Sequence, residues 1–201
     1  NQAEFDNNAG GMIQIDNTLN DGIWNVVGTF TNEATIKIGV NIKVRHNGLA
    51  NLGVFDNNDG GNIHIDETGG HGIWNVNIFN NNGGSIYLGE NKKIAKNGIR
   101  HVGTEINNTA GGVIQIDEVQ YDAINQEGPN REDNIFNNSA TIVIGLNKKP
   151  HLGGMRIHGS TFNNNVGGVI QIEETTNLGI GITSSDFNNH ATISIGLNKK
   201  V

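Results

Sequence analysis

The sequence predicts an all-β solenoid, a single-stranded parallel β-helix of about eight coils, and three observations lead to that class. The motif Phe-x-Asn recurs along the whole chain, starting at Phe5, Phe30, Phe55, Phe79, Phe136, Phe162 and Phe187, with Ile106 in the place of Phe in the fifth unit. A few residues after each start comes an apolar-x-apolar pair, such as Ile13/Ile15, Ile63/Ile65 and Ile142/Ile144. No segment shows the spacing of an amphipathic helix. The starts lie 24 to 30 residues apart, and self-similarity at such a period marks a repeat architecture.

Each element of a coil follows from its residues. An apolar-x-apolar pair has period two, so both side chains face one side of a short strand. Ile is β-branched and suits a pleated surface. A second strand is expected at Gly22-Ile23-Trp24, Gly48-Leu49, Gly72-Ile73-Trp74, Gly98-Ile99, Gly154-Met155 and Gly179-Ile180. The Phe motif is the third strand and the corner after it. Crossovers between parallel strands are right-handed, which is the hand expected here. Residues 1–201 form one continuous segment.

The Asn two positions after each start is present in every unit: Asn7, Asn32, Asn57, Asn81, Asn108, Asn138, Asn164 and Asn189. At a tight corner Asn tolerates left-handed geometry and bonds nearby backbone. Stacked coils sit about 4.8 Å apart, so each amide is expected to donate to the next in a structural ladder. The Phe side chains should stack in the interior.

The units alternate, giving a true repeat of two coils. Odd coils carry Gly-Gly before the Ile pair and acid after it: Asp16, Asp66-Glu67, Asp117-Glu118 and Glu173-Glu174. Even coils carry Gly39, Gly89, Gly145 or Gly196 after the pair, followed by Asn and Lys. Alternation sets acid beside Lys along one exposed edge, and a slip of one coil would set acid on acid.

Composition narrows the function. The chain has 201 residues, a formal net charge of −7 and no Cys, so thiolate chemistry and disulfides are excluded. Thirty-five Asn and a low hydrophobic fraction would fit disorder, but the regular Ile placement overrides that. No apolar run reaches the roughly 18 residues of a membrane span, so no membrane insertion is expected. Dispersed Lys and Arg on an acidic chain argue against a nucleic-acid partner. The acids recur with the repeat, which fits structural use, so no enzyme is expected. Neither His spacing nor the acids interleaved with Lys match a metal site, so no cofactor is expected. Thr35, Thr141 and Thr192 recur only on alternate coils, a poor template for ice.

Two places offer contacts to glycans or partners. Trp24 and Trp74 lie two coils apart on one side; they either stack on sugar rings or cover corners of their own coils. The fifth coil is the longest, with extra residues in Gln120–Asn134 including Tyr121 and Arg131, and insertions into solenoids map to loops on one face.

The pattern Phe-Asn-Asn-x-x-Gly-x-Ile-x-Ile-Gly/Asp resembles the repeats of large secreted β-helix proteins of Gram-negative bacteria, the haemagglutinin-like adhesins and surface fibres. The resemblance runs through all eight units. It implies an extracellular or cell-surface stalk or fibre segment, with surface glycans or other cells as contacts. Neither end resembles a capping unit, which solenoids use to hide open edges. The expectation is therefore an internal piece whose partners are flanking repeats or further copies stacked end to end. The alternative, from another class, is a carbohydrate-binding or polysaccharide-cleaving β-helix.

Overall fold

A computed structural model describes residues 3–128 and 133–196. Among them there is no helix. The chain winds through three parallel sheets stacked as a β-solenoid of about eight coils. The Phe sheet holds eight strands, from Ala3–Asn7 to Asp186–Asn189. The Ile sheet holds eight, from Met12–Ile15 to Thr192–Ile195. The third sheet holds seven, from Ile23–Asn25 to Leu178–Thr183. Register follows the repeat: Phe5 pairs with Phe30, Phe30 with Phe55, and Ile13 with Ile36.

The core is a set of like-on-like columns. Phe rings stack with centroids 4.7 to 5.3 Å apart from Phe5 to Phe79 and from Phe136 to Phe187. Ile106 fills the gap between the two stacks and is buried. Both members of every Ile pair from Ile36 to Ile172 are sealed from solvent.

The Asn ladder runs unbroken through all eight coils. Each Nδ2 donates to the Oδ1 of the next Asn, at 2.7 or 2.8 Å. A second ladder on the outer face of the same sheet runs the other way, as Asn107 donates to Asn80, Asn137 to Asn107 and Asn163 to Asn137. The amide dipoles of the two rows point in opposite directions, so their fields along the rod partly cancel.

The two-coil period has a steric and an electrostatic cause. Gly39, Gly89, Gly145 and Gly196 all have positive φ, a region open to Gly at no steric cost. A Cβ on Gly39 would also sit 2.5 Å from the Glu67 carbonyl oxygen. The odd coil carries acid at that corner instead. On sequence alone these acids form one exposed charged edge, and the structure divides them. Asp66 and Asp117 are 2% and 0% exposed. They act as clasps: Asp66 accepts the backbone N–H and side-chain amide of Asn91, and Asp117 those of Asn147. Burial is tolerated because both oxygens are hydrogen-bonded. The second acids keep the expected Lys partners, Glu67 with Lys92 at 3.8 Å and Glu118 with Lys148 at 3.2 Å. Those lysines also donate backward to the Asn41 and Asn91 carbonyls, so each spans an odd coil.

The extra stretch of the long fifth coil contributes a strand to the third sheet. Asp122–Glu127 is a strand in register with Gly153–His158, and that with Leu178–Thr183. The third sheet thus widens from three residues per strand to six at this coil.

Asn108→Ala should cost roughly 1–3 kcal/mol, because it leaves buried ladder groups of its neighbours unpaired. Gln14→Ala, on the exposed face, should cost little. Chemical denaturation of both variants checks this, and equal losses would contradict an internal ladder.

Candidate functional site

The third sheet presents one outward side chain per coil on its three-residue strands, and a second, Glu127 or His158, on the six-residue strands of the fifth and sixth coils. Alternation on its strands buries Ile23, Leu49, Ile73, Ile99, Ile124 and Met155, and the next position points away from the core. Those positions stack in register as Trp24, Ala50, Trp74, Arg100, Asn125 and Arg156. The chain just before each strand forms a parallel lip of His46, Gly70, Lys96, Tyr121 and Leu152, joined coil to coil by backbone hydrogen bonds of 2.8 to 3.3 Å.

Between lip and sheet runs a column of side-chain clasps. Asp21 accepts the Asn47 backbone N–H at 2.8 Å, Asn47 accepts that of His71 at 2.9 Å, His71 Nδ1 accepts that of Asn97 at 3.3 Å, and Asn97 accepts that of Asp122 at 3.0 Å. The column ends at Asp122, which pairs in register with Gly153 of the next coil. Asp122 Oδ2 accepts Arg156 Nε at 2.9 Å.

Two cavities of about 580 and 590 Å³ open between lip and sheet. Both are lined by His71, Lys96 and Arg100, so they form one groove. Trp74, Gly69, Gly70 and Arg45 line its first half, and Tyr121, Asn125 and Arg156 its second. Arg100 is held by Glu127 at 2.9 Å, a pair made possible by the widened fifth-coil strand. Three buried polar atoms on this face, Arg100 Nε, Asp122 Oδ1 and Asn125 Oδ1, have no partner among the described residues. The arrangement can receive an anion and hydrogen-bond a ligand; no group of three or more His, Asp or Glu fit to hold a metal occurs among the described residues.

The expected contact residues separate. Trp74 and Tyr121 both line the groove. Trp24 lies on the same column but Ala50 stands between the two indoles, and Trp24, 65% exposed, lines neither cavity. Arg131 lies outside the described residues. The eight ladder Asn belong to another sheet. Sequence reasoning missed Lys96, Arg100 and Arg156, although two of them occupy the position that Trp24 and Trp74 mark.

It also missed a short ladder on the third sheet. Asn25 donates to Asn51 and Asn51 to Asn75, both at 2.8 Å, and Asn75 donates to His101 Nδ1 at 3.2 Å. His101 must therefore be neutral, with Nε2–H donating to the Ile135 carbonyl at 3.2 Å. Burial lowers its pKa to about 4. His71 is also lowered to about 4, by burial first and then by Arg100 and Lys96.

Both histidines are depressed in the folded chain relative to about 6.5 in the unfolded one. The unfolded chain therefore takes up protons first. Their contribution is complete above pH 6.5 and is lost as pH falls toward 4, by roughly 3 kcal/mol for each. Thermal melts from pH 8 to pH 4 should show that loss, and His101→Gln should flatten part of it. Stability that rises on acidification through this window would contradict the assignment.

Comparison with protein-family profiles, with curated proteins and with solved structures finds no match to this chain.

Proposed function

We propose that the chain is a structural stalk or fibre segment of an extracellular bacterial adhesin or filament, working as a rigid spacer. The observation that carries this reading is the inner Asn ladder, continuous over eight coils. A reactive site needs one special place in a fold. A spacer needs the same bond at every coil, and here the conserved-by-repeat residues are spent on coil-to-coil contacts. The buried clasps and spanning lysines of the two-coil unit add resistance to slippage along the rod. The likeness of the repeat to surface-fibre sequences supports the extracellular setting.

A spacer should tolerate loss of a whole structural unit. Deleting residues 55–105 removes two coils and keeps the alternation, so the product should fold and be shorter by about 10 Å in small-angle scattering. Deleting residues 55–78 removes one coil. It sets the Gly39 corner against the Gly89 corner and takes away the Asp66 clasp, so this product should melt much lower. Incubation of the intact chain with a panel of polysaccharides should release no fragments. Turnover of any of them, or equal tolerance of the two deletions, would overturn the spacer reading.

A further inference from the structure

Charge on the third sheet runs against the rest of the molecule. The chain has a net charge of −7 with 13 Lys and Arg in all. The groove nevertheless gathers Arg45, Lys96, Arg100 and Arg156 against two carboxylates, Asp122 and Glu127. Two aromatic rings, Trp74 and Tyr121, share its walls.

The arginines are fixed in place yet not used up. Arg156 engages Asp122 through Nε, and its terminal nitrogens have no partner among the described residues. Arg100 engages Glu127 through one terminal nitrogen. Their side chains remain 41% and 39% exposed. A planar guanidinium held in this way presents a preset fork to a carboxylate or sulfate. Asp122, itself 2% exposed, lines the groove with one oxygen unpartnered, and Asn125 Oδ1 and Arg100 Nε are unpartnered beside it. Buried polar atoms without partners are costly. These atoms are sealed beneath the groove, so what a ligand meets are the exposed guanidinium ends of Arg100 and Arg156 and the Lys96 ammonium, and its complement carries negative charge.

The lip leaves the aromatic floor open. Coil three has Gly69 and Gly70 where its neighbours have Arg45, His46 and Lys96. A Cβ on Gly70 would lie 2.5 Å from Asn47 Oδ1, and one on Gly69 would overlap the Arg45 carbonyl. No side chain of the lip can therefore cover Trp74 at that coil. From Trp74 to Arg156 the groove crosses three coil spacings, about 14 Å.

We propose that this groove binds a short acidic oligosaccharide, with sugar rings laid on Trp74 and Tyr121 and carboxylate or sulfate groups on Lys96, Arg100 and Arg156. A nucleic-acid strand fits less well. Its dense phosphate charge meets four cations, two of them already paired, on an acidic chain that repels a long polyanion. The groove proposal stands apart from the spacer reading, since it requires binding and no turnover.

The test is titration calorimetry of the intact chain with trigalacturonate, a heparin-derived tetrasaccharide, cellotriose and an oligothymidylate, at low and moderate salt. At least one of the two acidic sugars should bind at least tenfold more tightly than cellotriose and the oligothymidylate; which one does assigns carboxylate or sulfate. Lys96→Gln, an exposed change at a side chain with no hydrogen bond or ion pair among the described residues, should weaken binding roughly tenfold. Trp74→Ala should weaken it similarly, while Trp24→Ala should leave it unchanged. Circular dichroism melts of each variant separate loss of binding from loss of fold. If neither acidic sugar binds, if cellotriose or the oligothymidylate binds as well as they do, or if Lys96→Gln and Trp74→Ala bind like the parent chain, the proposal fails.

Discussion

Each strand residue of the three sheets meets the corresponding residue of the next coil about 4.8 Å away, and that constraint governs the rest of the structure. A side chain is admissible only if it is compatible with a copy of itself or with the residue the next coil puts there. Ile and Phe meet the condition by packing like on like. Asn meets it in another way. It carries donor and acceptor on one planar group, so a row of identical amides satisfies itself, and here seven such bonds of 2.7 or 2.8 Å run from Asn7 to Asn189. Neither Asp nor Lys can do this alone, since a row of either repels.

The two-coil period is the solution for charge. Acid on one coil faces Asn and Lys on the next, and the buried carboxylates of Asp66 and Asp117 are filled by amide and backbone donors rather than by ions. The lysines are left for the half-exposed second acids, where an ion pair contributes little by itself. Their reach back to Asn41 and Asn91 ties successive two-coil units together. Repulsion avoided and register fixed are thus two aspects of one arrangement.

Much of the fold was legible in the sequence because the same constraint writes itself into the residues. The Phe-x-Asn start, the Ile pairs and the Gly-apolar segments each fall on one sheet, in the predicted register. The outward column Gln14, Lys37, His64, Tyr87 and Gln115 also stacks as the spacing requires. The groove was less legible. Trp74 and Tyr121 were visible as aromatics, but Arg100 and Arg156 differ in type from Trp74 while sharing its column, so no repeat motif links them. The strand Asp122–Glu127 hid inside a long unit because its Gly is replaced by Ala123 and its Asn by Gln126. The burial of Asp66 beside the half-exposed Glu67 depends on which way a corner turns, and adjacent acids in a sequence do not record that.

The inner Asn ladder is the continuous side-chain interaction that links all eight coils. Hydrogen exchange of side-chain amides, followed by nuclear magnetic resonance, measures it directly. Ladder amides in the middle of the rod, such as Asn57, Asn81 and Asn108, should exchange only with global unfolding, while the outer-row amides of Asn107, Asn137 and Asn163 exchange orders of magnitude faster. Fast exchange of both rows, at similar rates, would contradict the account.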